Sequence, residues 1–156
     1  MNYPQLDSIF KIAEIHAQHI NFAIETLRAR FPLSPDDVQA MSRDDVIFFD
    51  FFINRFSKLQ DFMGAKIFPA VLEFAGESVE LTSIIDKLHR LEKIGAIRDI
   101  NKWEELRKIR NHLSHEYPDE PALTATYLNE AFNLATYLLD CLYDLQGYVR
   151  IHPPIS

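Results

Sequence analysis

Apolar residues return three and four positions apart along almost the whole chain, and no segment alternates convincingly at period two. That spacing places the apolar side chains of each segment on one face of an α-helix. Only four glycines occur, and the eight prolines fall mostly at segment boundaries, so long helices with short connections are expected. The expected fold is therefore all-α, an antiparallel helical bundle of four to five main helices. The 156 residues suit one domain with one sizeable core, so residues 1–156 read as a single unit.

The first helix is expected over 7–30, with Ile9, Ile12, Ala13, Ile20, Ala23, Ile24 and Leu27 as its core stripe. Asp7 or Ser8 would cap its start, and Pro32 lies just past its end. "LSPDDVQAM" reads as a short helical turn with Ser34 as N-cap and Pro35 in the first helical position. A second long helix is expected over 43–74, its phenylalanine run read as core, with Pro69 bending or interrupting it. The third starts at a Thr82 or Ser83 cap and closes near Gly95. The fourth runs from Asn101 to about Glu116, and the last spans roughly 120–147 with Pro121 near its first turn and Gly147 at its end.

The net charge of −7 counts against a protein that coats nucleic acid through a broad basic surface. A small local anion site is compatible with it, because "LRKIRNHLSH" holds Arg107, Lys108 and Arg110 with no acid among them. The single cysteine, Cys141, excludes an internal disulfide and reads as a small buried hydrophobe. The start "MNYPQLDSIF" lacks a basic region followed by an apolar stretch, and "VIFFDFFINRF" is broken by Asp50, Asn54 and Arg55. Neither a signal peptide nor a membrane span is expected, and a cytoplasmic location is the default.

The most polar helix end is "RNHLSHEYP", residues 110–118. At about 100° per residue, with Arg110 at zero, Leu106, Ile109 and Leu113 cluster near 300° and face the bundle. Asn111 and His115 then lie at about 100° and 140°, as i,i+4 neighbours on an uncovered face, while His112 at about 200° looks outward. Pro118 disfavours helix at Tyr117, which would leave the phenol near the same patch. Arginine and histidine in a last turn also complement the helix dipole, worth about 0.3–1 kcal/mol each. The same groups can handle a phosphodiester: neutral histidine takes a proton from a ribose 2′-hydroxyl, and arginine holds the phosphate through two bonds.

These residues also carry a resemblance. "RNHLSHEY" resembles the R-x4-H-x-Y pattern of HEPN-domain proteins, specifically the HepT-type toxins, with Arg110, His115 and Tyr117 in register. The upstream "KIGAIRDINKWEELRKIRNHLSHEYP" is similar to that family's approach to the motif. The resemblance implies an all-α bundle that forms a homodimer, with the motifs of two subunits meeting in a cleft. It implies a metal-independent endoribonuclease acting on RNA, with Arg110 and His115 catalytic and Asn111 supporting the site. It implies no cofactor, and a cognate MntA-type nucleotidyltransferase antitoxin that transfers AMP from ATP to Tyr117. An alternative within the same family is a non-catalytic, nucleotide-binding or accessory subunit of a nucleotidyltransferase.

Other constellations carry less. His16 and His19, like His112 and His115, are three apart, but a usable metal site needs a third ligand, and no metal is expected. Arg55, Lys58 and Asp61 share helical spacing on the second long helix, where Arg55 is a candidate second phosphate contact. No Gly-rich phosphate loop, Gly-x-Ser-x-Gly or Walker pattern occurs.

Overall fold

The computed structural model describes residues 3–78, 82–115 and 119–152. Among them every regular element is helical: α1 (Tyr3–Leu27), closed by a 3₁₀ turn (Arg28–Arg30), α2 (Pro35–Gln39), α3 (Arg43–Phe62), a π turn (Met63–Ile67), α4 (Phe68–Phe74), α5 (Ile84–Lys93), α6 (Asn101–Leu113) and α7 (Pro121–Ile151). The all-α expectation holds. The contacts Arg30–Asp45, His19–Phe51 and His16–Phe62 run in opposite senses along α1 and α3, so these helices are antiparallel. The pairs Lys102–Tyr137 and His112–Tyr127 show the same for α6 and α7. Both α2 and α6 lean on α7.

Local chemistry sets most helix ends. Ser34 and Ser42 each form a reciprocal capping box. The amides of Asp37 and Asp45 donate to the serine hydroxyls at 3.1 Å, and the carboxylates accept from the serine amides at 2.8 and 3.0 Å. Ser83, rather than Thr82, caps α5 by accepting from the Asp86 amide at 3.2 Å. At the end of α5, Gly95 adopts φ +81°, and the Gly95 and Ala96 amides donate to the carbonyls of Glu92 and Leu91. This is a Schellman closure, for which glycine pays no Cβ penalty.

Three expected boundaries move, and the second long helix is interrupted at Pro69 as expected. The first helix starts at Tyr3, so Asp7 and Ser8 lie inside it rather than at its N-cap. The interruption of the second begins just before the proline. Proline has no N–H for the Ala65 carbonyl, and the chain widens into the π turn, where the Phe68 amide donates to the Met63 carbonyl. The fourth helix ends at Leu113, short of Glu116, as the amides of Ser114 and His115 turn back to the carbonyls of Asn111 and His112 at 3.3 and 3.2 Å. The last helix passes through Gly147 to Ile151 because Tyr148 and Val149 pack on the core, which outweighs the roughly 1 kcal/mol glycine penalty.

The core is one cluster drawn from every long helix, with Phe52, Phe56 and Phe68 fully enclosed. Cys141 is buried there, as expected, and burial pushes its thiol up to about 11. The apolar pattern overstates burial elsewhere: Ile12 and Phe48 are 46% and 41% exposed. Those positions lie on the outer edges of their stripes, where a hydrophobic residue has no facing helix to cover it. Among the described residues no helix is long and apolar enough to cross a membrane.

The Ser42 box is also tied to Arg30, which donates to Asp45 at 2.8 Å. That bond, with the Ser42 amide, holds the Asp45 carboxyl down to about 2. A depressed carboxylate stabilises the fold above its ordinary range, and the contribution is lost as pH falls toward about 2. Ser42→Ala is expected to cost about 0.5–2 kcal/mol in denaturant unfolding at pH 7. The gap from wild type should narrow as pH falls from ~4 toward about 2, where Asp45 is protonated and loses its hold on the same turn.

Candidate functional site

α6 is held to the bundle by Trp103, Leu106 and Ile109, all buried, which leaves its flanks to polar residues. On the flank facing α3, Arg110 meets Asp61 in a two-bond fork: Nε donates to Oδ1 at 3.1 Å and Nη2 to Oδ2 at 2.8 Å. The side chains are 32% and 55% exposed. The Asp61 hydrogen bond raises the Arg110 pKa further, so the guanidinium is a fixed cation. A partly exposed pair of this kind contributes only about 0.2–1 kcal/mol. Charge-assisted bonds to an incoming phosphate are worth about 1.5–3 kcal/mol each, so Asp61 orients Arg110 without locking it.

Two clefts open on either side of the α6 terminus. The smaller, about 320 Å³, lies between α3, the π turn and α6, and is lined by Gln60, Asp61, Trp103, Arg107, Arg110 and Asn111 among others. The larger, about 990 Å³, lies between α2, α3 and the α6–α7 junction, and holds Asp50, His112, His115, Asp119 and Tyr127 against an apolar floor that includes Phe49 and Leu128. Arg110 and Asn111 thus share one cleft, and His115 opens on the other.

The helical-wheel neighbourhood of Asn111 and His115 does not survive past Leu113. The Ser114 hydroxyl donates to the Asn111 carbonyl at 2.6 Å, and the tightened last turn carries His115 round toward α2 and α7. Both residues are exposed, as expected of an uncovered face. His112 does not look outward: it is half-buried and stacks on Tyr127, with ring centroids 4.2 Å apart and planes at 6°. Tyr117, the expected modification site, lies outside the described residues with Glu116 and Pro118.

Arg55 lines neither cleft. It sits six residues before Asp61, about 240° round the helix, and faces α1. There its Nη1 donates to His16 Nδ1 at 3.4 Å and its guanidinium lies over Phe51. Burial, then the charges of Arg55 and Lys58, lower the His16 pKa and so disfavour the charged ring. The seam of α1 and α3 therefore uses these groups for its own packing, and a role for Arg55 beside Arg110 is not supported by this placement.

Three residues of the smaller cleft went unassigned in the sequence. Asp61 is 49 positions from Arg110, beyond any local rule. Arg107 was visible only as part of a basic run. Gln60 did leave a signal, because it follows Phe52 and Phe56 at four-residue steps and so interrupts an apolar stripe. The chain matches no family model, no curated protein and no solved structure.

The exchangeable character of the fork is directly measurable. A double-mutant cycle with Asp61→Ala and Arg110→Ala, read by denaturant unfolding, should give a coupling of about 0.2–1 kcal/mol that shrinks with added salt. A coupling above about 3 kcal/mol would mean that Arg110 is locked and unable to take a phosphate.

Proposed function

We propose that this chain is a HepT-like HEPN toxin, a metal-independent endoribonuclease acting on RNA. The observation that carries the reading is the placement of Arg110. It is a fixed cation with further N–H groups beyond those given to Asp61, set in a cleft that Arg107, paired with Glu104, also lines. In a chain of net charge −7, that is where a phosphate would be attracted.

In the proposed reaction the His115 imidazole takes the proton of a ribose 2′-hydroxyl. The freed oxygen attacks the adjacent phosphorus, and the 5′-oxygen leaves with a proton, giving a 2′,3′-cyclic phosphate and a 5′-hydroxyl. Arg110 stabilises the charge that builds on the phosphoryl oxygens. Asn111, exposed beside Arg110, would hold the substrate or a water. Because Arg110 and His115 of one chain open on different clefts, the reading requires a homodimer whose twofold axis brings the two motifs together. Control would come from an MntA-type nucleotidyltransferase: the Tyr117 oxygen attacks the α-phosphorus of ATP, pyrophosphate leaves, and the added AMP opposes a second anion.

The same division of the motif favours a second reading, a non-catalytic nucleotide-binding or accessory subunit in which Arg110 binds a phosphate and nothing is cleaved. RNA cleavage separates the two. Purified chain should cut RNA in EDTA, while His115→Ala and Arg110→Ala each lose roughly 10²–10⁴ of the rate. Undiminished cutting by either variant, or abolition by EDTA, would rule out this mechanism.

Regulation has its own measurement. After incubation with the nucleotidyltransferase and ATP, wild type should gain the mass of AMP and fall silent. Tyr117→Phe should gain nothing and keep cutting. Equal modification of both chains would place the switch on another residue.

A further inference from the structure

Not all of the apolar side chains turn inward. Ile15, Phe22 and Ile47 are 53%, 60% and 64% exposed, and Ile12 extends the row on α1 by one turn. They share one surface. α1 and α3 meet where His19 packs edge-on against Phe51 and Arg55 reaches His16. By helical rotation, Ile15 and Phe22 lie roughly 40° and 60° to one side of His19, with the buried Ile20 about 100° to the other. On the antiparallel α3, Ile47 and Asn54 stand in the same relation to Phe51, with Phe52 buried on the far side. Both exposed sets therefore fall on the outer face of the α1–α3 pair.

These four side chains expose on the order of 400 Å² of apolar surface, the size at which a contiguous patch marks an interaction site. A standard interface takes about 800 Å² from each partner, a little over half of it apolar. The patch is thus the size of one interface core. Its charges say what would cover it. Lys11 and Lys58 stand at the end of Ile12 and Ile15, and Asp44 and Asp50 at the end of Ile47. All four are exposed, and none forms an ion pair among the described residues. Between the two ends the face carries the uncharged Gln18 and Asn54, while Asp7 and Arg43 lie about a turn further out at either end. A surface basic at one end and acidic at the other fits a copy of itself turned end for end.

We propose that two copies of this chain join through the outer face of α1 and α3, each helix lying antiparallel on its own copy. Turned this way, Lys11 and Lys58 of each protomer meet the acidic end of the other, and Ile12 and Ile15 meet the end that carries Phe22. The twofold axis crosses near Gln18, and every contact occurs twice. With like ends together, lysines would face lysines, a juxtaposition that opposes association. The arrangement also bears on the site. Asp61, which holds Arg110, lies toward the basic end, and Asp50, which lines the cleft of His115, lies at the acidic end. The smaller cleft of one protomer is thereby turned toward the His115 flank of its copy. This deepens the ribonuclease reading and rests on it for that last relation alone.

Light scattering of the full chain at micromolar concentration should give twice the 18.2 kDa of one chain. Ile15→Asp and Phe22→Asp, each checked for native helicity by circular dichroism, should give one chain, because the joint would bury an unpaired carboxylate. Lys11→Glu with Lys58→Glu should raise the dissociation constant about tenfold or more, and adding Asp44→Lys and Asp50→Lys should restore it. Gln18→Cys, near the axis, should cross-link through a short bismaleimide. Lys11→Cys, about 20 Å from its copy, should not, and the buried Cys141 does not compete. A single-chain mass for wild type, or a mass unchanged in both folded aspartate variants, overturns the surface. Cross-linking through Lys11→Cys, none through Gln18→Cys, or no rescue by the reversed charges overturns the end-for-end arrangement. A dimer split by the variants in a chain that cuts no RNA supports the surface and removes the ribonuclease reading alone. Undiminished cutting by the split variants overturns the meeting of the motifs across it.

Discussion

Pro69 takes one backbone donor out of the middle of a rod that is buried along its inner side from Phe49 to Phe74. A clean break there would pull some of Phe56, Leu59, Met63, Ile67, Phe68 and Leu72 out of the core, at about 1.5–3 kcal/mol for each large side chain exposed. Losing one helical hydrogen bond costs about 1 kcal/mol. Burial wins, so the chain widens through the π turn and carries on as α4 without leaving the core. The wider turn brings Gly64 and Ala65 to the surface beside Gln60 and Asp61. The smaller cleft follows from how the fold absorbs one proline.

The electrostatics of that cleft are those of exchange. Arg107 and Arg110 are both engaged, with Glu104 at 3.3 Å and with Asp61 at 2.8 Å, yet every partner keeps substantial exposure. Solvent weakens such pairs, and salt at physiological strength screens charges beyond about 8 Å. A phosphate entering the cleft therefore competes with carboxylates that are held loosely. The chain-wide charge of −7 acts over longer distances and is screened first, which favours short-range recognition over steering of a polyanion from afar.

How much could be read from the sequence divides by range. Serine caps at 34, 42 and 83 and the glycine closure at 95 depend on neighbours within five residues, and three of these four were visible as local patterns. The path of α7 through Gly147 was not, because Tyr148 and Val149 are held by residues far away in the chain. Pro69 was recognised as a disturbance, but the π turn just before it was not, since proline acts on the carbonyl four residues back and the neighbouring core decides how the helix accommodates the loss. The site split along the same line. Exposure of Asn111 and His115 followed from periodicity, whereas the fork to Asp61 and the stacking of His112 on Tyr127 each need a second helix in place.

The division of the motif between two clefts has a consequence for any chemistry it performs. Within one chain, Arg110 faces α3 and His115 faces the α2–α7 side, with the body of α6 between them. A phosphodiester held in the smaller cleft would have to reach round the helix end to meet the imidazole of the same chain. On the proposed reading a twofold dimer would remove that difficulty if its axis set the smaller cleft of one protomer against the His115 flank of its copy, since every such contact then occurs twice. His115 of the partner subunit could then attend the phosphate bound by Arg110, and the reverse contact follows from the same axis. On the proposed reading, the short last turn of α6 is what makes the single chain incomplete, since an ordinary continuation of the helix would have left Asn111 and His115 on one face.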